Sequence, residues 1–505
     1  MCTIETSKDV PSHWLEARLS DVSLCLERGK SKHRPRNAAH LYGGPYPFVQ
    51  TGDIARSNGI IHQHHQTYSE SGLKQSRLWP AGTICITIAA NIGSSAILSY
   101  PACFPDSIVG ILVNQDLCIP KYLEYFIRTI RIELERLAPA TAQKNINVAI
   151  LDEVLIPLAP LGEQKRIVDK LDVLLERVDA CRERLTRIAR LLQRLRKSII
   201  QKATSGALSA LWRTQHKQIA GDWFQQILES VENGDIKAAR KVRLWGSGQT
   251  VEDSSLSELP SNWKWVKIKE LGLIENAVQI GPMSMKSSEF SESGTPVLNV
   301  GCVNWNSINL RKCNFLPEKK AQSFDRYRLK SGDIIFTRSG TVGRAAILPA
   351  ELDGCLMTFH LLRIRTSDRV CLPKYLLYAI EGCSEVLSQI ESTAIGATRA
   401  GFNTTLLEGL SIPLPPPEEQ HFIVSVLDRV LARQDAQSER LKGLQGLLSD
   451  LTPALLAQAF RGELVPQNAG DGPAPELLAR IGKGAQVGPA IKEKNGKRSK
   501  ALVSR

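Results

Sequence analysis

The sequence predicts an α+β protein. Two mixed α/β domains are separated by a pair of long helices forming an antiparallel coiled coil, with an internal pseudo-two-fold repeat. Three observations predict it. The chain reads twice, each reading ends in an apolar heptad seam, and the segment before each seam mixes short β-like runs with turns and one late helix.

The repeat comes first because it organises everything else. Pro11-Ser12-His13-Trp14 recurs as Pro260-Ser261-Asn262-Trp263, an offset of 249. Ala81-Gly82-Thr83-Ile84 recurs as Ser331-Gly332-Asp333-Ile334, offset 250, and Pro120-Lys121-Tyr122-Leu123 as Pro373-Lys374-Tyr375-Leu376, offset 253. Ile156-Pro157-Leu158 with Glu163-Gln164 recurs as Ile412-Pro413-Leu414 with Glu419-Gln420, offset 256, and Gly206 matches Gly462 at the same 256. The offset drifts early and is constant late. Each repeat is therefore a variable globular part followed by a rigid part of fixed length.

The rigid part reads as a helix. Ile167, Leu171, Leu174, Val178, Cys181, Leu185, Ile188, Leu192, Leu195 and Ile199 alternate at spacings of four and three, an apolar heptad seam. The same seam continues in the second repeat through Ile423, Leu427, Val430, Leu441, Leu444, Leu448, Leu451 and Leu455. Gln434 and Gln437 interrupt it and are expected to fix register at some cost in stability. Pro453 is expected to kink or stop the second helix, and the proline runs at 157–160 and 413–417 to mark where each helix begins. A lone amphipathic helix of this length is unstable in water, so the economical arrangement pairs the two, antiparallel if a two-fold axis relates the repeats. From Ile167 to Ile199 the seam rises about 48 Å. Arg182, Arg184, Arg187, Arg190, Arg194, Arg196 and Lys197 line the other face of the first helix, read as a solvated or docking face in preference to a phosphate contact.

These signals divide the chain into residues 1–150, a first globular domain; 151–206, a first helical spacer; 207–256, a linker with a short helix around Trp223 to Val231; 257–405, a second globular domain; 406–466, a second spacer; and 467–505, a mostly disordered basic tail with one possible short helix from Pro475 to Ile481. In the second domain Val297 to Val300, Asp333 to Thr337 and Ala345 to Leu348 read as strands, and Pro373 to Leu387 as a helix after its first-turn proline.

Composition narrows the function classes. With 505 residues the chain exceeds one ordinary domain of about 150. Lys and Arg number 64 against 51 Asp and Glu, a surplus of 13 positive charges that fits a polyanionic partner. Eleven scattered cysteines without a CxxC pair read as reduced core residues, not a disulfide framework or zinc site. No signal peptide and no run near the ~20 apolar residues of a membrane span is seen, so the expected location is cytoplasmic.

The ordered motifs resemble the specificity subunits of type I restriction-modification systems. In the second half the resemblance rests on Gly332-Asp333-Ile334-Ile335-Phe336-Thr337-Arg338-Ser339-Gly340-Thr341-Val342-Gly343-Arg344, a strand and glycine turn. Ile395 to Asn403 resembles the segment closing the domain, Ile412 to Gln420 the helix entry, and Ala459-Phe460-Arg461-Gly462-Glu463-Leu464 its exit. Thr141 to Asn147 and Pro157 to Gln164 match the equivalent stations of the first half. The match spans about residues 10 to 466. It departs at Ala89-Ala90-Asn91-Ile92-Gly93, which lacks the arginine found at Arg338, so a contact carried by Arg338 does not transfer to the first half.

The resemblance implies a prokaryotic, non-catalytic subunit with two target-recognition domains that bind an asymmetric, two-part site in double-stranded DNA. It implies two modification subunits that methylate adenine and two restriction subunits that translocate and cut. S-adenosylmethionine, ATP and Mg would then belong to those partners, and this chain would bind no cofactor. The residues agree. Gly29-Lys30-Ser31 lacks the earlier glycine of a P-loop, which falls on Leu24. The Asn-Pro-Pro-aromatic signature of an amino-methyltransferase is absent, and Pro105-Asp106 has no Glu-x-Lys to complete a nuclease. His62, His64 and His65 lack supporting metal ligands and read as a DNA-facing or solvated turn. Two alternatives stay open: the reader half of a split restriction-methylation enzyme with its own activity, and a scaffold whose heads bind protein.

Base edges are read by Arg or Lys at guanine and by Asn or Gln at adenine. The candidate DNA contacts are Lys32, Arg34, Arg36, Gln63, His64, Lys144 and Asn145 in the first head, and Lys286, Ser287, Arg338, Arg344, Arg399 and Asn403 in the second. The turn Gly340-Thr341-Val342-Gly343 offers backbone N–H groups to a phosphate. Arg399 and Asn403 are equally suited to holding the domain against its helix.

Overall fold

The computed structural model describes residues 10–33, 35, 37–137, 146–217, 223–232, 256–271, 277–395 and 402–472. The chain forms two compact units, one of residues 1–185 with 443–505 and one of residues 186–442. Neither unit is a simple linear repeat. Each takes one globular head, the near end of the long helix that follows it, and the far end of the other long helix.

Both helices are as long as the heptads promise. They run Leu161–Thr204 and Pro417–Phe460, 44 residues each; the first begins directly after its proline run and the second on the last proline of its own. The second passes through Pro453 without stopping. The expected stop is absent because proline removes one intrahelical donor, a loss offset by the packing beyond it, where Leu456, Ala459 and Phe460 are core residues.

In the first unit a five-stranded sheet has the order Ser23–Arg28, Ile108–Val113, Ile84–Thr87, Ser95–Leu98, Ile60–Ile61. The first three pairings are antiparallel and the last parallel. A short ribbon, Leu15–Arg18 against Leu155–Leu158, pairs Leu15 with Leu158 and ties the start of the head to its end. Pro120–Thr129 covers the sheet, its proline at the first turn where the missing N–H is harmless. The core joins Trp14, Tyr122 and Phe126 to Ile167, Leu171 and Leu175 of the first long helix and to Leu456 and Phe460 of the second. The Phe460 ring lies 5.1 Å from Tyr122 and 5.3 Å from Phe126.

The second unit repeats this plan. Val278–Ile280, Leu361–Ile364, Ile334–Thr337 and Ala345–Ile347 form an antiparallel sheet in the corresponding order. Lys264–Lys267 pairs with Ser411–Leu414 so that Lys264 opposes Leu414, the equivalent register. Pro373–Gly382 covers the sheet, and a second helix, Ser384–Ile395, takes over before the predicted helix end at Leu387. Thr295–Leu298 is the strand expected near Val297. Trp263 and Tyr375 pack with Ile423, Leu427 and Leu431, and with Ile200 and Ala203 from the first long helix.

Two glycines close the units. Gly462 (φ +72°) ends the second long helix where a Cβ would lie 2.3 Å from Pro11, and Gly206 (φ +80°) ends the first where one would lie 2.6 Å from Pro260. The recurring Pro-Ser-x-Trp motif is thus the seat for the exit of the other repeat's helix, and only glycine fits.

The helix pair differs from the expected seam in one column. Ile167, Leu171 and Val178, with Ile423 and Leu427, are buried; Leu174, Leu185 and Leu192, with Val430, Leu441 and Leu448, are partly buried. By contrast Ile188, Leu195, Leu444 and Leu451 are 41% to 48% exposed, and Cys181 is exposed too. Arg182, Ala189 and Arg196 are turned inward instead. In the first unit Arg182 donates to the Leu448 carbonyl (3.0 Å) and to Thr452 Oγ1 (2.9 Å). In the second, Arg196 pairs with Glu381 (2.7 Å) and Asp435 (3.4 Å). Arginine stems pack as apolar chains while their heads find acceptors, so a charged column competes with an apolar one for the seam. Gln434 is buried and donates to the Leu192 carbonyl at 2.9 Å, whereas Gln437 is exposed.

Candidate nucleic-acid interface

Each head is fastened to its own helix by the same buried polar clamp. Gln164 Nε2 donates to the carbonyls of Leu117 (3.1 Å) and Ala159 (2.8 Å), and its Oε1 accepts from Ile119 N (2.9 Å). Gln420 does likewise with Val370 (2.8 Å), Pro415 (2.9 Å) and Leu372 N (2.8 Å). Tyr122 and Tyr375 donate to the carbonyls of Pro157 (2.5 Å) and Pro413 (2.6 Å). Lys121 and Tyr125 both meet Asp172, and Lys374 and Tyr378 both meet Asp428. Burial, then the neighbouring aspartate, pushes the Tyr125 and Tyr378 hydroxyls above the usual phenol range, so they serve only as donors. A fully satisfied buried amide with no spare rotamer makes the head and the helix end one rigid piece.

The glycine turn is also built twice. Thr337 Oγ1 donates to the carbonyl of Thr341 (2.6 Å) and accepts from Arg344 N (3.0 Å). Thr87 Oγ1 donates to the carbonyl of Asn91 (2.5 Å) and accepts from Ser94 N (3.1 Å). The second head uses Gly340 and Gly343 at positive φ, whereas the first places Ala90 and Asn91 there with Gly93. The Gly343 N–H is taken by the Thr337 carbonyl (3.1 Å). With Arg344 N also engaged, the expected phosphate cradle shrinks to the exposed Gly340 and Thr341.

In the first head Lys32, Gln63 and His64 are exposed. Gln63 and His64 lie between the short strands Ile60–Ile61 and Gln66–Tyr68. His64 is braced by the Tyr100 hydroxyl (3.1 Å), and His65 by Asp53 (2.6 Å), which also holds Arg56 (2.8 Å) and caps Gln50 N (2.9 Å). The histidine turn is therefore a braced, solvent-facing element. Arg34, Arg36, Lys144 and Asn145 lie outside the described residues.

In the second head Lys286 and Ser287 are exposed at a short turn, and Lys286 N donates to Glu289 (3.1 Å). Arg338 is half-buried and tied to the backbone of its own head. Its Nε donates to the Phe402 carbonyl (2.9 Å) and its Nη1 to the Phe359 carbonyl (3.2 Å), so it stitches the closing segment to the sheet. Asn403 caps the helix Thr404–Gly409 through Leu406 N (2.9 Å), as Asn147 caps Val148–Asp152 in the first half through Ala149 N (3.5 Å). Both residues hold the domain, because an asparagine directly before a helix finds a backbone donor sooner than a ligand. Arg344 is half-buried, and Arg399 lies outside the described residues.

Two features escaped sequence reading. A hairpin pairs Val303–Asn304 with Ser307–Ile308 through Asn306 at φ 52°, and presents Trp305, Leu310, Arg311 and Lys312 to solvent. An exposed aromatic beside basic groups is a suitable base-stacking and phosphate element. Its signal was the Asn-Trp-Asn-Ser run, a hairpin turn carrying a tryptophan. The other is a pair of apolar stripes. Ile188, Leu191 and Leu195 are 42% to 51% exposed in the second unit, and Leu444, Leu447 and Leu451 are 41% to 69% exposed in the first. They are the same three positions, 256 residues apart.

Comparison with known proteins decides the family. The family model described as the type I restriction modification DNA specificity domain matches residues 11–190 and 260–445, once per repeat. The chain belongs to the type I restriction-modification specificity family. Among its relatives are the type I restriction enzyme EcoKI specificity subunit of Escherichia coli (strain K12), 24% identical over 92% of each chain, and the StySPI specificity subunit of Salmonella potsdam, 25% identical over 92% of each. A solved structure described as the basis of complex assembly and conformational transition of the type I R-M system shares the fold. Its TM-score is 0.64 at 20% identity, covering 90% of this chain and 100% of that one. The specificity-family match begins at the Pro-Ser-x-Trp seat of each head, the element that receives the other repeat's helix exit. Among the described residues no helix is long and apolar enough to cross a membrane, and no cluster of three metal-ligating side chains occurs.

Proposed function

We propose that this chain is the non-catalytic reader of a type I restriction-modification complex, binding an asymmetric, two-part site in double-stranded DNA. The observation that carries the reading is the contrast within the repeat: the clamps that hold each head are the same, while the exposed loops of the two heads differ. One frame with two unlike faces suits one site with two unlike halves. The first head offers Lys32, Gln63 and His64, and the second Lys286, Ser287, Trp305, Arg311 and Lys312. The paired long helices act as an antiparallel coiled-coil spacer that sets the gap, and the ~48 Å seam, roughly 14 base pairs at about 3.4 Å each, is the upper scale for the half-site separation.

The apolar stripes fit partner subunits. Three leucine-sized side chains held in solvent on one helix face are an incomplete packing surface. Because Ile188, Leu191 and Leu195 recur as Leu444, Leu447 and Leu451, the chain carries two equivalent docking faces. Two copies of one partner follow, which supports two modification subunits, with restriction subunits joining the full complex. S-adenosylmethionine, ATP and Mg then serve those partners, and this chain binds none.

The test is co-expression with a modification subunit and genome-wide mapping of methylated adenines by long-read sequencing. A split motif that disappears when this chain is omitted supports the reading. Methylation or cleavage by the purified chain alone would favour a split enzyme. An assembled complex without DNA affinity at any salt concentration would favour a protein-binding scaffold.

A further inference from the structure

Cys302 and Cys313 flank the tryptophan hairpin of the second head, and their sulfurs lie 3.5 Å apart. The neck of the loop is held closed by its backbone. Asn309 N donates to the Cys302 carbonyl (2.8 Å), Asn299 Nδ2 to the Lys312 carbonyl (2.8 Å), and Cys313 N to the Leu310 carbonyl (3.1 Å). The two thiols are therefore kept together by a frame that does not depend on them. A disulfide has its sulfurs about 2.0 Å apart, so bonding needs only a small rotation of each side chain.

The pair is also chemically unlike the other described cysteines of the chain. A hydrogen bond from Cys313, with Asn299 N and Lys312 close by, brings the Cys302 thiol down to about 7. The Cys313 thiol is pushed far up, because its charge would form beside Cys302 and close to Cys355. Cys85, Cys118 and Cys371 are pushed well above the usual thiol range by burial and are inert. The thiolate therefore forms on Cys302, where Asn299 N donates to the sulfur (3.4 Å), and the half-buried Cys313 keeps its proton beside it.

We propose that Cys302 and Cys313 form a redox-modification site, oxidised by a hydroperoxide to a disulfide that staples the exposed Trp305 hairpin shut. The Cys302 thiolate attacks an oxygen of hydrogen peroxide; an S–O bond forms, the O–O bond breaks, and the leaving hydroxide takes up a proton as water. The Cys313 thiol then attacks the Cys302 sulfenic sulfur; the S–S bond forms, the S–O bond breaks, and a second water leaves. The thiols lose two electrons and two protons, and the peroxide becomes two waters. A dithiol reductant reverses the reaction by exchange. Oxidation removes freedom from a loop bearing Trp305, Arg311 and Lys312, while the sheet behind it is unchanged.

The experiment treats the full chain with hydrogen peroxide, alkylates the remaining thiols, digests without reduction and reads the peptides by mass spectrometry. The expected product is a Cys302–Cys313 cross-link lighter by two hydrogens, released by dithiothreitol and absent from C313S. The exposed Cys181 is the internal control for peroxide dose. The proposal is overturned if Cys302 and Cys313 stay alkylatable at doses that oxidise Cys181, if either bonds to Cys355 instead, or if Cys302 stops at the sulfinic acid. The wild-type map decides between these outcomes even if the serine variant does not fold.

Discussion

The two heads differ most where their sheets face away from the clamps. At the centre of the first sheet Gly110 opposes Cys85, and the stacked rings of Trp79 and Phe104, 5.1 Å apart, lie against it. A Cβ at Gly110 would sit 2.7 Å from Phe104. At the corresponding place in the second sheet Arg363 opposes Ile335 and is buried. One head fills the site with aromatic carbon, the other with a guanidinium. The clamps built on Gln164 and Gln420 are nevertheless alike in every bond. Within the repeat, the difference thus lies in the heads' outer sheets and loops, while their seats on the helices are the same.

That comparison is broken most strongly at the clamps. Gln420→Ala should destabilise the second unit by roughly 3 kcal/mol, counting about 1 kcal/mol for each of three hydrogen bonds, and leave the first unit unchanged. Gln164→Ala should do the reverse. Hydrogen exchange read peptide by peptide separates the two, and equal loss of protection in both units would contradict a clamp local to each head.

The stripes come next. Leu191→Asp and Leu447→Asp each remove a leucine from one docking face, a loss of about 2 kcal/mol in partner binding. If the two faces each dock one modification subunit as proposed, native mass spectrometry should show two on the unmodified chain and one on each variant. The unfolding midpoint should stay put, because both positions are exposed.

A smaller effect is expected at the hairpin. Trp305→Ala or Arg311→Ala should weaken DNA binding by about 1–2 kcal/mol, with the loss confined to the second half of the site. Fluorescence anisotropy with half-site mutants measures this, and an equal loss on non-specific DNA would assign the loop to phosphate contact alone.

The smallest effect concerns acid. Arg166 holds Asp471 through two bonds, 2.9 and 2.6 Å, and the guanidinium keeps that carboxyl below its ordinary value. A lowered folded pKa stabilises the folded state at all pH values above the ordinary carboxylate value of about 4, and the contribution is lost as pH falls below it. For this partly exposed pair it is under about 1 kcal/mol. Exchange protection of residues 466–472 should fade in that window, and Asp471→Asn should show no such fading.

Much of this was legible in the sequence. Heptads and proline runs gave both long helices, and the drifting offset marked the heads as variable and the spacers as constant. The choice of seam column was not legible, since Ile188 and Leu195 look better suited to a seam than Arg182 and Arg196 until the acceptors across the helix pair are known. Arg338 and Asn403 are candidates in the sequence because arginine and asparagine read bases; that Arg338 Nε and Nη1 and Asn403 Oδ1 also hold nearby backbone groups is visible only in the structure. The Asn403 cap had a local signal, an asparagine directly before Thr404-Thr405-Leu406, and Arg338 had none. That each unit borrows the other repeat's helix exit followed only from Gly206 against Pro260 and Gly462 against Pro11.

The most direct test of the central claim is to replace residues 257–405 with the second head of another family member, co-express the chimera with the modification subunit, and map methylated adenines. The account predicts that one half of the motif changes while the other half and the gap are kept. An assembled complex in which both halves change, or neither does, would contradict it.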